Sequence, residues 1–273
     1  AKQNKIDIAI DLTGYTSPNR LGIFSYRAAP VQINYLGYPG TMGADFIDYI
    51  IADQNLIPNE SQKYYSEKPI YMPHHYQAQD DTLSISEDIP SRPELGLPDS
   101  GFVFCAINNT YKITPSEFDI WMRLLQNVDD SVLWLFNANK IISNNLKLEA
   151  KKLGVDPDRL IFASYKPGIV NFSNRVIHAD LFLDTIPYNA HTMASDTLRL
   201  GIPVLTCMGD SFASRVCASL LNSLKIPELI TINRDEYESK AIELAENPKK
   251  LINIKKKLEI NIPITTLYNT QLF

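Results

Sequence analysis

From about Gly101 onward the sequence predicts a doubly wound α/β domain, on three observations. Short apolar runs alternate with longer amphipathic ones, and turn residues separate them. One junction, from Asn189 to Asp196, opens a helix with small polar residues directly after an apolar strand. Strands are expected over 102–107, 132–136, 160–163, 181–184, 204–207 and 229–232. Helices are expected between them, over 116–127, 144–153, 170–178, 194–200, 213–224 and 235–246. Asn233 is placed to cap the last of these, with Asp235 and Glu236 favouring the positive helix end. Strand–helix alternation of this kind means a parallel sheet with helices on both faces. Such sheets bind ligands at the carboxyl ends of strands, where the strand order reverses.

Upstream, Ile6 to Leu12 alternates apolar residues with Asp, Ala and Asp, the period of a strand. Further strands are expected over 31–36 and 48–53, the first running into Gly37-Tyr38-Pro39-Gly40-Thr41-Met42-Gly43. Residues 54–100 are rich in Pro, Ser, Asp and Glu and read as connecting structure without a core element. The division expected is 1–95, the later part of an N-terminal half plus connector, and 96–273, a C-terminal doubly wound domain.

Composition bounds the function classes. The chain has 273 residues, 45% hydrophobic, enough for one large or two modest cores. Its net charge of −5 lacks the basic footprint of a nucleic-acid binder, so no nucleic-acid partner is expected. Lys249, Lys250 and Lys255 to Lys257 lie in a helical pattern and read as a solvated face. Cys105, Cys207 and Cys217 have no Cys-x-x-Cys spacing, which fits a reducing compartment. No run is long and apolar enough for a membrane span, and the default location is cytoplasmic. The abrupt ends, a strand almost at once and Gln271-Leu272-Phe273 last, read as cut from something longer.

Three places could hold chemistry. After the strand at 181–184, Pro187 and Asn189 turn the chain and a helix opens around His191, Thr192 and Ser195. Unpaired N–H groups and the helix dipole there suit a diphosphate, with Asp196 one turn on, in reach of a ribose hydroxyl. Simple capping by Thr192 or Ser195 explains the spacing equally well. After the strand at 102–107, Lys112 is a point charge where a departing diphosphate would need one; an ordinary loop lysine is the alternative. The loop 37–43 is G-x-x-G-x-x-G, not a dinucleotide fingerprint, and a tight turn fits it as well. His74 and His75 are adjacent and point apart in a strand, so no metal site is expected from them.

These residues resemble the catalytic region of protein O-GlcNAc transferases, glycosyltransferase family 41. The likeness rests on Gly14-Tyr15-Thr16 with Arg20, Arg27-Ala28-Ala29-Pro30, Leu36-Gly37-Tyr38-Pro39-Gly40-Thr41, Asn108 to Ile113, Ala179 to Thr185, Pro187 to Thr192 with Ser195-Asp196, and Ala213 to Val216. It implies a GT-B fold of two Rossmann-like halves, the first incomplete here. It implies inverting, metal-independent transfer of GlcNAc from UDP-GlcNAc to Ser or Thr hydroxyls of protein or peptide acceptors, with no cofactor. Lys112 would stabilise the leaving UDP. Asn109, where the family often has Gln, would lie near the phosphates; His191 and Thr192 would contact them, Asp196 the ribose and Arg175 the uracil segment. Leu36 and Gly37 would border the sugar, and Arg20 would face the cleft. Met193 stands where a phosphate-binding Thr is usual, and its backbone N–H is the expected substitute. The loop 165–174 lacks the usual His, with Phe172 or Lys166 as replacements. A metazoan-type insert between the halves is missing, as in bacterial or plant members. Tetratricopeptide repeats and the candidate catalytic base would lie upstream of Ala1. The alternatives are a nucleotide-sugar-binding fragment without turnover, or a transferase using UDP-glucose or GDP-fucose.

Overall fold

The computed structural model describes residues 2–82, 89–136, 139–163 and 176–273. Among the described residues, ten strands fall into two parallel sheets. The first contains β1 (Ile8–Asp11), β2 (Val31–Asn34), β3 (Tyr49–Ala52) and β4 (Lys68–Tyr71), in that spatial order. The second contains β5 (Phe102–Ala106), β6 (Ser131–Phe136), β7 (Leu160–Ala163), β8 (Leu181–Leu183), β9 (Val204–Cys207) and β10 (Ile230–Thr231). Its order is β10-β9-β8-β5-β6-β7. The chain builds outward from β5 to β7 and then returns to add β8 on the other side of β5. The order therefore reverses between β5 and β8, and a crevice opens beyond their carboxyl ends.

The strands of the larger sheet are apolar without alternation because both faces are covered. Val103, Phe104, Cys105 and Ala106 in β5 are at most 1% exposed, and Leu181, Phe182 and Leu183 in β8 are fully buried. The described helices are α1 (Pro115–Asn127), α2 (Lys140–Lys152), α3 (Thr192–Arg199), α4 (Val216–Ser223), α5 (Arg234–Glu246) and α6 (Pro248–Asn261). Thr114 caps α1 by accepting from Glu117 N–H at 3.3 Å, with Pro115 at the first turn where its missing donor costs nothing. The helix turns Phe118, Trp121, Met122 and Leu125 into the core. Asn233 caps α5 as expected, accepting from Glu236 N–H at 2.8 Å. Gly101, which precedes β5, must be glycine: its φ is +99° and a Cβ would lie 2.0 Å from the Asp130 carbonyl oxygen.

One expectation needs correction. Residues 54–100 were expected to hold no core element, yet they contain β4, and Leu56, Ile57, Tyr76 and Leu97 are buried. Proline misled the reading here: Pro69 sits inside β4, at the outer edge of the sheet, where a missing N–H leaves no ladder bond broken. The alternation of Ile6 to Leu12 does form a strand, but its apolar side is uncovered. Ile8 is 55% and Ile10 47% exposed, while Asp11 is buried. β1 pairs only with β2, and among the described residues no element covers that face. The helix expected over 170–178 falls largely outside the described residues. Expected α2 starts earlier than read, because Asn139 caps it by accepting from Ile142 N–H.

The two sheets meet through the turn after β3. Asp53 is 1% exposed; its Oδ1 accepts from the N–H groups of Asn55 and Leu56. Its Oδ2 accepts from Tyr76 N–H at 3.1 Å and from the Ser219 hydroxyl of α4 at 2.7 Å. Arg215 donates to the Asn55 carbonyl oxygen, and Asn222 to the Asn55 side chain. The C-terminal segment ties the same parts together: Tyr268 donates to the Ser195 carbonyl in α3, and Thr270 donates to Asp81 and Gln79.

Candidate functional site

The crevice between β5 and β8 gathers the residues that sequence reasoning singled out on separate segments. Lys112 follows β5, and His191, Thr192 and Asp196 follow β8. The Lys112 Nζ donates to the Asn189 carbonyl oxygen at 2.6 Å. It also sits 4.2 Å from the centre of the Tyr188 ring. Burial lowers its pKa to about 8, although Asp184 and Glu117 pull the other way. The ammonium is thus present at neutral pH yet poorly solvated, which raises its attraction for an anion.

The turn from Thr185 to His191 is organised from beneath by buried acids. Asp184 is fully buried; its Oδ1 accepts from Thr185 N–H at 2.9 Å and Ala190 N–H at 2.7 Å, and its Oδ2 from the Thr206 hydroxyl at 2.6 Å. Burial raises its pKa to about 6 against those donors and Lys112. Glu117 of α1, also fully buried, accepts from Ile186 N–H at 2.8 Å, and burial raises its pKa to about 9. It is therefore uncharged at neutral pH. Asn189 completes the turn by donating from Nδ2 to the Thr185 carbonyl and accepting from Cys217 N–H.

His191 ends the turn with φ 39° and ψ −109°, a costly conformation for a residue with a side chain. Its ring stacks on Tyr188 with centroids 5.0 Å apart and planes 20° apart. Its Nε2 lies 3.2 Å from the Ala213 carbonyl oxygen. Burial lowers its pKa to about 4, so the ring is neutral at physiological pH and offers a hydrogen bond, not a charge. Among the described residues, the backbone N–H groups of His191, Thr192 and Ala194 have no partner. They stand at the positive end of α3, the arrangement that binds phosphate oxygens. Met193 differs: its N–H donates to the Ala190 carbonyl at 2.9 Å, so it is not the free donor expected at that position. Asp196 is half-buried in the first turns of α3, and burial raises its pKa.

Asn109 stands at the start of the turn that carries Lys112, and its carbonyl accepts from Lys112 N–H at 3.0 Å. On the other sheet, Leu36 has φ 69° and is 38% exposed after β2. Gly37 passes so close to the end of β1 that a Cβ would lie 2.1 Å from the Leu12 carbonyl oxygen. Tyr38 packs edge-on to Tyr15, with ring centroids 5.2 Å apart. Burial raises the Tyr188 phenol, with smaller contributions from Tyr111 and Tyr38. Arg20 is exposed, and its side chain has no partner among the described residues. Arg175, with Lys166 and Phe172, lies outside the described residues. Sequence reasoning missed Asp184, Glu117 and Tyr188 as parts of the site. Glu117 reaches the turn through a contact 69 positions away, and Asp184 and Tyr188 stand at or within the segment it flagged.

A helix start with open N–H groups at the switch point of a doubly wound sheet, beside a second parallel sheet, defines an α/β protein of the GT-B type. The chain belongs to glycosyl transferase family 41, whose family model matches residues 1–87 and 78–273. It is 35% identical over 275 residues to a probable UDP-N-acetylglucosamine–peptide N-acetylglucosaminyltransferase of Arabidopsis thaliana, covering 98% of this chain and 28% of that protein. It is 27% identical to the corresponding Caenorhabditis elegans enzyme over 380 aligned residues, covering 33% of it. The longer alignment places additional residues of the nematode protein inside the shared region. Among solved structures, a mutant O-GlcNAc transferase of Thermobaculum terrenum superposes with a TM-score of 0.83 and 26% identity, over 99% of this chain and 51% of that one. The chain therefore spans about a third or less of these two curated relatives. Among the described residues, no helix is long and apolar enough to cross a membrane.

Proposed function

We propose that this chain supplies the donor-binding part of a glycosyltransferase that moves GlcNAc from UDP-GlcNAc to Ser or Thr hydroxyls of proteins. The observation that supports it most directly is the pairing of the Lys112 ammonium with the open N–H groups of His191, Thr192 and Ala194 across one crevice. In the proposed reaction the acceptor oxygen bonds to the sugar anomeric carbon as the bond from that carbon to the diphosphate oxygen breaks. The hydroxyl proton passes to solvent, UDP departs with the bonding pair, and the anomeric configuration inverts.

The catalytic contribution of Lys112 is to oppose negative charge growing on the leaving diphosphate without the help of a metal ion. The helix start and His191 hold the phosphates, Asn109 lies beside them, and Asp196 takes the ribose. Arg175 serves the base, while Leu36 and Gly37, with Arg20, border the sugar from the N-terminal half, residues 1–95. Residues 96–273 form the donor half. No further cofactor is assigned. The curated relatives named above carry a peptide transferase description, which supports protein acceptors for the parent of this chain. Three free, buried cysteines support a cytoplasmic setting.

The test is calorimetry with UDP, UMP and GDP, followed by a UDP-release assay with peptide acceptor and UDP-GlcNAc, UDP-glucose or GDP-fucose. UDP binding with turnover on UDP-GlcNAc alone supports the reading. Turnover on another donor replaces it with a related transferase, and UDP binding without any turnover in a version extended upstream leaves a binding module.

A further inference from the structure

Lys112 is held without a carboxylate partner. Acidic groups lie nearby, but Glu117 is neutral and Asp184 spends its oxygens on Thr185, Ala190 and Thr206. What touches the ammonium is the Asn189 carbonyl at 2.6 Å and the face of the Tyr188 ring at 4.2 Å. The His191 ring stacks on the same tyrosine, with centroids 5.0 Å apart. Tyr188 thus contacts both groups that the donor-site reading gives to the diphosphate.

We propose that Tyr188 is a positioning residue, whose ring holds the Lys112 ammonium and the His191 imidazole in register for the diphosphate without placing a carboxylate against the ammonium. This rests on the donor-site reading. The physical reason is the choice of partner. A carboxylate at this distance would orient the lysine equally well but neutralise it, so that a phosphate would have to displace an ion pair. An aromatic face attracts a cation through its quadrupole and carries no net charge. The ring therefore stabilises the charged form in a half-buried place and yields its hold when an anion arrives. Stacking on His191 uses the same ring to fix the orientation of a residue whose backbone is already in a costly conformation.

The experiment replaces Tyr188 by Phe, by pentafluorophenylalanine and by Leu. Pentafluorophenylalanine keeps the shape of the ring and removes the negative potential of its face. The first readout is the titration of Lys112 in ligand-free protein, followed by NMR of carbon-13-methylated lysines with Lys112→Arg as the assignment control. The expected result is a midpoint unchanged in Tyr188→Phe and lowered by roughly half a pH unit or more with the fluorinated ring and in Tyr188→Leu. The second readout is turnover: kcat is expected to fall about three- to thirty-fold with the fluorinated ring and Leu, with a smaller change in the donor KM, and to stay near wild type in Phe. A midpoint and kcat that are the same with the fluorinated ring as with Phe would overturn the proposal, even if Tyr188→Leu fails to fold. Loss of kcat in Phe as large as in Leu would also overturn it. The titration needs no donor, so a protein that shifts Lys112 as expected but binds no UDP keeps the ring–lysine contact and sinks the donor-site reading instead.

Discussion

The Lys112 ammonium and the Asn189 carbonyl oxygen, 77 positions apart in sequence, meet at 2.6 Å and join the two strands that flank the switch point. That contact ties the turn after β5 to the turn after β8, so the cation and the helix start face the same space.

Lys112 dictates a pH dependence. Its pKa is lowered from 10.5 to about 8, so the ligand-free protein carries the ammonium below pH 8 and loses it above. UDP affinity is expected to be flat below that value and to fall by up to about tenfold per pH unit above it, measured by calorimetry. Lys112→Ala is expected to weaken UDP binding at pH 7 by about ten- to a hundredfold and to flatten the limb. Stability runs in the opposite sense. The folded protein disfavours the charged form, so the cost is complete below pH 8 and disappears above 10.5. Lys112→Met should therefore raise the melting temperature of the ligand-free protein at pH 7 but not at pH 11. Equal UDP affinity in wild type and Lys112→Ala would remove Lys112 from the donor site.

Glu117 makes a second pH prediction with its own sign. Its pKa is raised from 4.5 to about 9, so the folded state keeps a proton that the unfolded chain releases. The resulting cost is absent below pH 4.5, grows up to about 9 and is constant above. Glu117→Gln retains an oxygen to accept from Ile186 N–H and removes the titration. Its stability relative to wild type should rise across that window, by an amount on the order of a few kcal/mol. Urea melts at pH 4.5 and pH 8 measure it, and a pH-independent difference would contradict the assignment.

Met193 concerns binding alone. Its N–H is occupied by Ala190 and its side chain offers no donor, so the first turn of α3 lacks a hydrogen bond that a threonine would provide. Met193→Thr is expected to tighten UDP several-fold, within the range of one added hydrogen bond to a charged oxygen. Unchanged or weaker affinity, with an unchanged melt, would place the diphosphate elsewhere.

The junction of the two sheets is tested at Asp53. Asp53→Ala leaves the N–H groups of Asn55, Leu56 and Tyr76 and the Ser219 hydroxyl without their acceptor. A loss of at least about 3 kcal/mol in urea unfolding is expected, against about 1 kcal/mol for Ser219→Ala. Similar losses in the two variants would mean that Asp53 serves the inter-sheet contact alone.

The sequence by itself determined the parallel sheet and the helix start that follows β8. Both are local properties: continuous apolar runs such as 160–163 and 204–207 mark strands buried on both faces, and the small polar residues after β8 mark a helix start. Proline and polar composition concealed β4, because an edge strand tolerates what a central strand does not. The alternation of β1 gave its period but not which side would be covered, since that depends on neighbouring elements. Only the tertiary structure decided how Lys112 is held, which N–H groups at α3 remain open, and that Glu117 and Asp184 lie beneath the turn. Residues 112 and 117 come from the segment after β5 and residues 184 and 188 from the segment after β8, and the protonation of Lys112, Glu117 and Asp184 depends on burial that only packing creates.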